Sequence, residues 1–551
     1  MKRRFGFLLA SCAVFLAVPP AFAQPLASGS FLAGRFAQAE GDWPRASGFF
    51  NQAMLADPGN PALLRQGFLL ALASGQVEAA RNLGREILAQ GKPYHMAEVL
   101  AIADSFVAGQ NEKAAGLIKA MPEDGLGGLL KPLFEGWNLA AVGKFDEAMA
   151  RLQPKDADEG MGALYAFHIG LISELAGRPA DAEKWYRKSL DEAATSRAAQ
   201  ALSAMLQKQN RMDEAGKVLA DMEKDMPGWE RGPQARMVPL IEKASDGAAE
   251  LLFDMALVLG GQGMGEAASL YAQVALVMKP EFPEVRVLLG EILLESGQSA
   301  MALEQYRHVP ASSWASWSAR IGMAKLLEDM KRNAEAEALL RQMAAEAPKD
   351  ALPLVRLADF LRRQDKFAEA AKVYEGALAL MPEGSGRAWE LHYWRGASLE
   401  QAKNWKDAEA ELRQALTLAP DQPLVLNYLG YSLADRGEKL DEAFAMLQKA
   451  AELRPEGFIL DSLGWAHFRL GQFDDAVRYL EQAVELEPAD ETLNDHLGDA
   501  YWRAGREREA RYQWARARGL SDAADFQKAE DAKISSGLPE LVQGAAKPVA
   551  E

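Results

Sequence analysis

The chain has 551 residues, 49% of them hydrophobic and 25% charged, a globular composition several times longer than one ordinary core of about 100–200 residues, so it forms several domains or a repeat array. Asp and Glu outnumber Lys and Arg by 78 to 61, which argues against the concentrated basic surface that nucleic acid requires. The single cysteine, Cys12, excludes a disulfide framework, a cysteine nucleophile elsewhere in the chain and a cysteine-rich zinc site.

The first element reads as an export signal over residues 1–23. Lys2, Arg3 and Arg4 form the basic head, Phe5 to Val18 the apolar stretch, and Ala21-Phe22-Ala23 a small-x-small cleavage site before Gln24. A competing reading takes Leu9-Ala10-Ser11-Cys12 as a lipobox, in which Cys12 carries a lipid and tethers the protein to the outer membrane. No later segment holds the roughly 18 uninterrupted apolar residues of a membrane span. The expected location is therefore the periplasm, either free or lipid-tethered.

From residue 24 one unit recurs. Its first copies are marked by Gly34, Ala46, Phe50, Ala53 and Pro58, then more weakly by Ala80, Ala114, Gly136 with Ala148, Gly170 with Ala182 and Tyr186, and Ala215. These define an N-terminal array over 24–225. Residues 226–248, with Pro227, Gly228, Gly232, Pro233 and Pro239, break the pattern and read as a junction or a long loop. A second array over 249–520 opens with Ala268, Ala275 and Pro280, continues through Gly290, Gly297, Ala302 and Tyr306, and reaches Ala336 and Pro348. The cleanest copies follow. One carries Leu354, Leu357, Ala358, Leu361, Ala370, Tyr374, Ala377 and Pro382; the next carries Gly396, Leu399, Ala408, Leu412, Ala415 and Pro420. Another carries Leu463, Gly464, Gly471, Ala476, Leu480, Ala483 and Pro488, and the last carries Leu497, Gly498, Tyr501, Gly505, Ala510, Trp514 and Ala517. A capping helix is expected over 521–535 and a disordered tail over 536–551.

Each unit has a physical reading. Apolar residues three and four apart mark a first helix with one buried stripe, a Gly-centred turn ends it, and a second helix stops near a Pro. Small residues such as Gly464, Ala476 and Ala483 let the two helix axes approach at the short end of the 8–10 Å packing range. The fold class is all-α, an α-solenoid of helical hairpins, and the order of small and large residues resembles the tetratricopeptide repeat. That resemblance implies a right-handed superhelix of about 14 units, in one or two sub-arrays.

The search for chemistry is mostly negative. The six histidines His95, His168, His308, His392, His467 and His496 stand in no HxxxH or HExxH relation, so no metal site is expected. Gly260-Gly261-Gln262-Gly263-Met264-Gly265 fits neither the dinucleotide fingerprint nor the phosphate-binding loop and reads as a hairpin turn. No GxSxG elbow occurs, and abundant carboxylates on helix faces single out no glycosidase pair. No cofactor is expected, and the chain reads as a non-enzyme.

What remains is surface. The resemblance implies that first helices line a concave groove, with positions 2, 5, 9 and 12 of the unit pointing into it. In the last three units this register selects Asn427, Tyr431, Asp461, Trp465, Phe468, Asp495, Asp499 and Trp502. Aromatics are the usual anchors of a protein interface, and flanking carboxylates select a basic or polar partner; the alternative is that Trp465, Phe468 and Trp502 pack between helices. Chaperone-binding members clamp a partner's terminal carboxylate with Lys and Asn, whereas acids and aromatics stand at the corresponding positions here.

A closer resemblance lies in residues 390–520. Leu426-Asn427-Tyr428-Leu429-Gly430-Tyr431-Ser432-Leu433-Ala434-Asp435, Ile459 to Trp465 and Asn494 to Trp502 are similar to segments of a proteobacterial envelope family of long tetratricopeptide proteins. One lipoprotein member of that family is the adaptor of a carboxyl-terminal processing protease and presents peptidoglycan hydrolases to it. The resemblance implies a periplasmic scaffold with protein partners, an envelope protease and its client hydrolases among them. A scaffold for polysaccharide or lipopolysaccharide export, and a concealed enzymatic or glycan-binding activity in the N-terminal half, are the rival readings.

Overall fold

The computed structural model describes residues 27–539 apart from 92, 154–160, 194, 226–237 and 382–383. The expected export signal with Cys12, half of the expected junction, and residues 540–551 of the tail lie outside the described residues. Every regular element among the described residues is an α-helix, and contacts divide the chain into two compact units between Asn333 and Ala334.

The first unit runs through α1 Ala27–Ala39, α2 Trp43–Ala56, α3 Pro61–Ala73, α4 Val77–Ala89, α5 His95–Val107, α6 Asn111–Ala120, α7 Gly125–Ala141, α8 Phe145–Leu152, α9 Gly162–Leu175, α10 Pro179–Glu192, α11 Ser196–Lys208 and α12 Met212–Asp225. It continues with α13 Ala244–Gly261, α14 Gly265–Met278, α15 Pro283–Glu295, α16 Ser299–Arg307 and α17 Ser316–Asp329. In the second unit follow α18 Asn333–Glu346, α19 Ala351–Arg363, α20 Phe367–Leu378, α21 Ala388–Gln401, α22 Trp405–Leu418, α23 Pro423–Arg436 and α24 Leu440–Leu453. The last are α25 Gly457–Arg469, α26 Phe473–Leu486, α27 Glu491–Arg503, α28 Glu507–Leu520 and α29 Ala524–Ser536.

Local chemistry sets the helix ends. Asp490 accepts from the backbone N–H of Thr492 and Leu493, as Asn60 does from Ala62 and Leu63, so the first orphan donors of α27 and α3 are satisfied. Within a hairpin the axes approach through a missing side chain. A Cβ on Gly464 would stand 2.7 Å from Leu480, and one on Gly498 would stand 2.5 Å from the Trp514 ring. The large residue of the second helix therefore fills the space that glycine leaves on the first. Leu480, Leu497, Trp514, Ala476, Ala483 and Ala510 join in one buried cluster, and Leu412, Leu429, Leu433, Leu447 and Leu463 in the neighbouring one.

The first unit departs from a simple stack. Its hairpin α13–α14 packs on α3, α5, α7 and α9 as well as on its chain neighbours. The boundary expected at 226–248 therefore falls inside one compact unit, and the observed division lies at Asn333/Ala334. Residues 244–248 are the buried first turn of α13 and not a linker; a Cβ on Gly247 would collide with the Trp137 ring, so this glycine serves close packing and not a bend. The Gly260–Gly265 run does form a turn, with Gly263 at φ 75° between α13 and α14.

Candidate functional site

The candidate face belongs to the second unit. Its first helices lie side by side, α23 against α25 and α25 against α27, so residues one repeat apart meet across them. The eight sequence-selected residues fall on these three helices, and the structure separates them into two groups.

Six are occupied by contacts within the chain. Asp461 accepts from His496 Nδ1 at 2.9 Å. Trp465 is covered on both faces, by Phe468 with ring centroids 4.7 Å apart and 10° between planes, and by His496 at 4.2 Å and 20°. Burial alone would lower the His496 pKa; the Asp461 charge and hydrogen bond, with Asp495 and Asp499 beyond, carry it above the ordinary value. The stack of Phe468, Trp465 and the His496 ring held by Asp461 thus ties α25 to α27, and no open aromatic plate is left.

The acidic end is closed in the same way. Lys533 of α29 pairs with Asp495 and lies 2.9 Å from Asp499, which also accepts from Trp514 Nε1 at 2.9 Å. A Cβ on Gly537 would collide with Trp502, whose ring also lies 5.5 Å from Trp514 and under the Arg511 guanidinium at 4.9 Å. The expectation that Asp461, Asp495 and Asp499 select a basic partner is corrected on this point. Their charge is met by His496 and Lys533, both beyond the first-helix register that selected the acids. The terminal helix α29 Ala524–Ser536 thus brings one cation, Lys533, to these two carboxylates.

Asn427 and Tyr431 differ. Asn427 is buried to 8% exposure, and its Oδ1 has no hydrogen-bond partner among the described residues. Tyr431, one turn later on α23, is half-buried, and burial foremost raises its pKa. Their surroundings on α21 and α23 are aromatic: Tyr393 meets Tyr428 edge to face at 5.7 Å, and Trp394 lies under the Arg362 guanidinium at 3.9 Å. Glu400 takes the Tyr428 hydroxyl at 3.4 Å and faces Arg436 at 3.8 Å, and Asp435 is paired with Arg469 at 2.9 Å.

Sequence reasoning missed Tyr393, Trp394, Tyr428, His496 and Lys533. Tyr393 holds the position of Asn427 one repeat earlier, Trp394, Tyr428 and His496 follow that position by one residue, and pairing each first helix with the next repeat's register would have found His496 opposite Asp461. The other histidines are also engaged: His95 with the Tyr271 hydroxyl at 2.7 Å, His168 with Trp137 Nε1 at 3.1 Å, and His392 with Glu411 at 2.6 Å. His308 meets the Glu304 carbonyl at 2.8 Å, and His467 meets Gln472 at 2.7 Å.

Tetratricopeptide-repeat profiles match residues 354–388, 389–422 and 457–490. These three hairpins of the second unit match the tetratricopeptide repeat. The chain is 33% identical over 214 residues to the TPR repeat-containing protein PA4667 of Pseudomonas aeruginosa, a match covering 38% of this chain and 35% of that protein. The chain thus spans about a third of the length of the curated relative it matches. Among solved structures, yeast Tom70 aligns over 93% of this chain and 95% of its own at 13% identity and a TM-score of 0.38. The APC/C hetero-tetramer Cut9-Hcn1 aligns over 93% and 96% at 16% identity and a TM-score of 0.37.

Proposed function

We propose that the protein is a non-enzymatic adaptor that takes up a segment of a partner protein on the first-helix face of the second unit, at Asn427 and Tyr431. One observation carries this reading. A buried amide oxygen without a donor costs about 1–3 kcal/mol, and Asn427 Oδ1 is such an oxygen on a half-buried aromatic face. A backbone N–H of a bound segment satisfies it. Because the neighbouring carboxylates are already paired, the segment contacts this face through apolar and aromatic side chains and its own main chain, with little use for charge.

The cellular setting is proposed from sequence. The export-type N-terminus and the resemblance over 390–520 support a periplasmic adaptor in envelope biogenesis that brings client hydrolases to a processing protease. Deletion separates this from the rival export scaffold: hydrolase accumulation favours the first, loss of surface polymer the second.

A photo-cross-linking amino acid placed at Tyr431 in cells, with Tyr512 as the control, tests the binding face. Tyr512 is 66% exposed on α28 and reports random collision. A discrete partner adduct from position 431 and not from 512 is expected; equal labelling from both positions sinks the assignment.

A further inference from the structure

The inner face of the first unit is already occupied. Hairpin α13–α14 makes a polar or close steric contact with every odd-numbered helix from α1 to α11. Gln38 of α1 donates to Glu266 at 3.0 Å; Gln273 donates to the Ala73 carbonyl at the end of α3 at 3.3 Å; His95 of α5 meets the Tyr271 hydroxyl at 2.7 Å. Trp137 of α7 lies against Gly247 where no Cβ fits. Its Nε1 donates to His168 Nδ1 on α9 at 3.1 Å, and His168 Nε2 lies 3.2 Å from Asp254 of α13 in close contact without hydrogen-bond geometry. From α11, Arg197 closes a two-pronged pair on Glu250, at 2.5 and 3.0 Å, with side chains 6% and 0% exposed.

The hairpin is built for enclosure. Nine of the 14 residues of α14 are buried, compared with five of 14 in α26, an ordinary second helix of the other unit, and α13 is buried at 13 of its 18 residues with Leu257 and Val258 left exposed. A helix with so wide a buried surface is stable only when surrounded. Withdrawal would also part Arg197 from Glu250, leaving Glu250 with Lys279 at 3.5 Å and Arg197 with Glu284 at 2.9 Å, and separating a buried ion pair is unfavourable.

We infer that α13–α14 is the resident ligand of the first unit's inner face, docked for as long as the protein is folded, so this unit captures no partner there. The face is thereby specified as one that receives a helical hairpin with carboxylates at Glu250 and Asp254, and not an extended peptide. The inference concerns the first unit alone and goes beyond the binding reading given for the second.

Hydrogen exchange on the full chain tests it. Amides of α13 and α14 should exchange no faster than those of α5, α7 and α9, only through unfolding of the whole unit. Exchange of the hairpin ahead of α5, α7 and α9 would mean that it undocks from the native protein, and would overturn the inference. A Gly247→Ala substitution should raise anilinonaphthalene sulfonate fluorescence several-fold and speed exchange in α5, α7, α9 and α13 together, and Trp137→Leu in the same chain should restore protection. If Gly247→Ala leaves these helices protected, or if only α13–α14 becomes labile, the hairpin is a detachable element and the inference fails. Cross-linking from Tyr431 reports on the other unit, so its outcome does not decide this one.

Discussion

At the scale of single residues, the repeat is defined by where a side chain is missing and where the backbone turns left. Gly437, Gly471 and Gly505 occupy the hairpin turn at φ 69°, 75° and 78°, whereas the equivalent turns hold Asp365 at 57° and Lys403 at 64°. A left-handed conformation costs a non-glycine residue roughly 1–2 kcal/mol, less for Asp, whose side chain bonds locally. Lys403→Gly should therefore raise stability by up to about 1 kcal/mol after the entropy of the new glycine is subtracted, and Asp365→Gly by less. The urea midpoint of the second unit measures both, and a fall on Lys403→Gly contradicts the account. Asn427 is the opposite case, since its identity was legible in the repeat register but its unsatisfied oxygen was not. The same register placed Trp465 and Asp499 on an open surface, whereas the first is stacked on both faces and the second is bound to Lys533 and Trp514.

At the scale of elements, adjacent hairpins are tied by the same four charges in three places. Glu183 and Arg187 of α10 meet Arg211 and Glu214 at 2.6 and 3.6 Å; Glu337 and Arg341 of α18 meet Lys366 and Glu369, both at 2.5 Å. Glu409 and Arg413 of α22 meet Lys439 and Glu442 at 2.5 and 2.7 Å. The signature, an acid and a base four residues apart answered by a base and an acid three apart in the next hairpin, is readable in sequence once the helix spans are known. The terminal helix α29 is tied less symmetrically. Burial first, then the charge of Asp495, pushes the Glu530 carboxyl up to about 7 against the pull of Lys533. A carboxyl with a raised folded pKa stabilises the fold below its unfolded value of about 4.3, and that contribution is lost as pH rises through 7. The docking of α29 should thus weaken between pH 5 and 8, and Glu530→Gln should remove most of the dependence. Exchange protection of residues 524–536, corrected for intrinsic rate, reads this out; an unchanged pH profile in the Gln variant counts against it.

At the scale of the whole molecule, the chain forms two compact units that use the same hairpin differently. The first encloses one of its own hairpins, and its stability depends on the buried Arg197–Glu250 pair. Arg197→Met should cost about 3–5 kcal/mol, because Glu250 is left buried with only Lys279 at 3.5 Å and Glu284 loses its partner at 2.9 Å, while Arg197→Met with Glu250→Leu should recover part of the loss. Thermal unfolding of the full chain monitored in the first unit checks the order, and a double variant no more stable than the single would sink the argument.

The sequence by itself determined the helical hairpin and its repetition, the small residues that let the two helices of hairpins such as Gly464–Leu480 and Gly498–Trp514 approach, and the turn at Gly260–Gly265, since each follows from spacing within about 35 residues. The wide apolar stretch of α13 is readable in Leu251, Leu252, Phe253, Met255 and Ala256, although periodicity alone left open what surrounded it. Only the tertiary structure decided that Gly247 packs against Trp137 over a hundred residues away, that the division falls at Asn333/Ala334, and which acids on the first-helix face are already paired. The physical reason is one of range: repeat patterns specify neighbours, whereas the packing of distant helices and the pairing of charges depend on how many small inter-hairpin rotations accumulate along the chain.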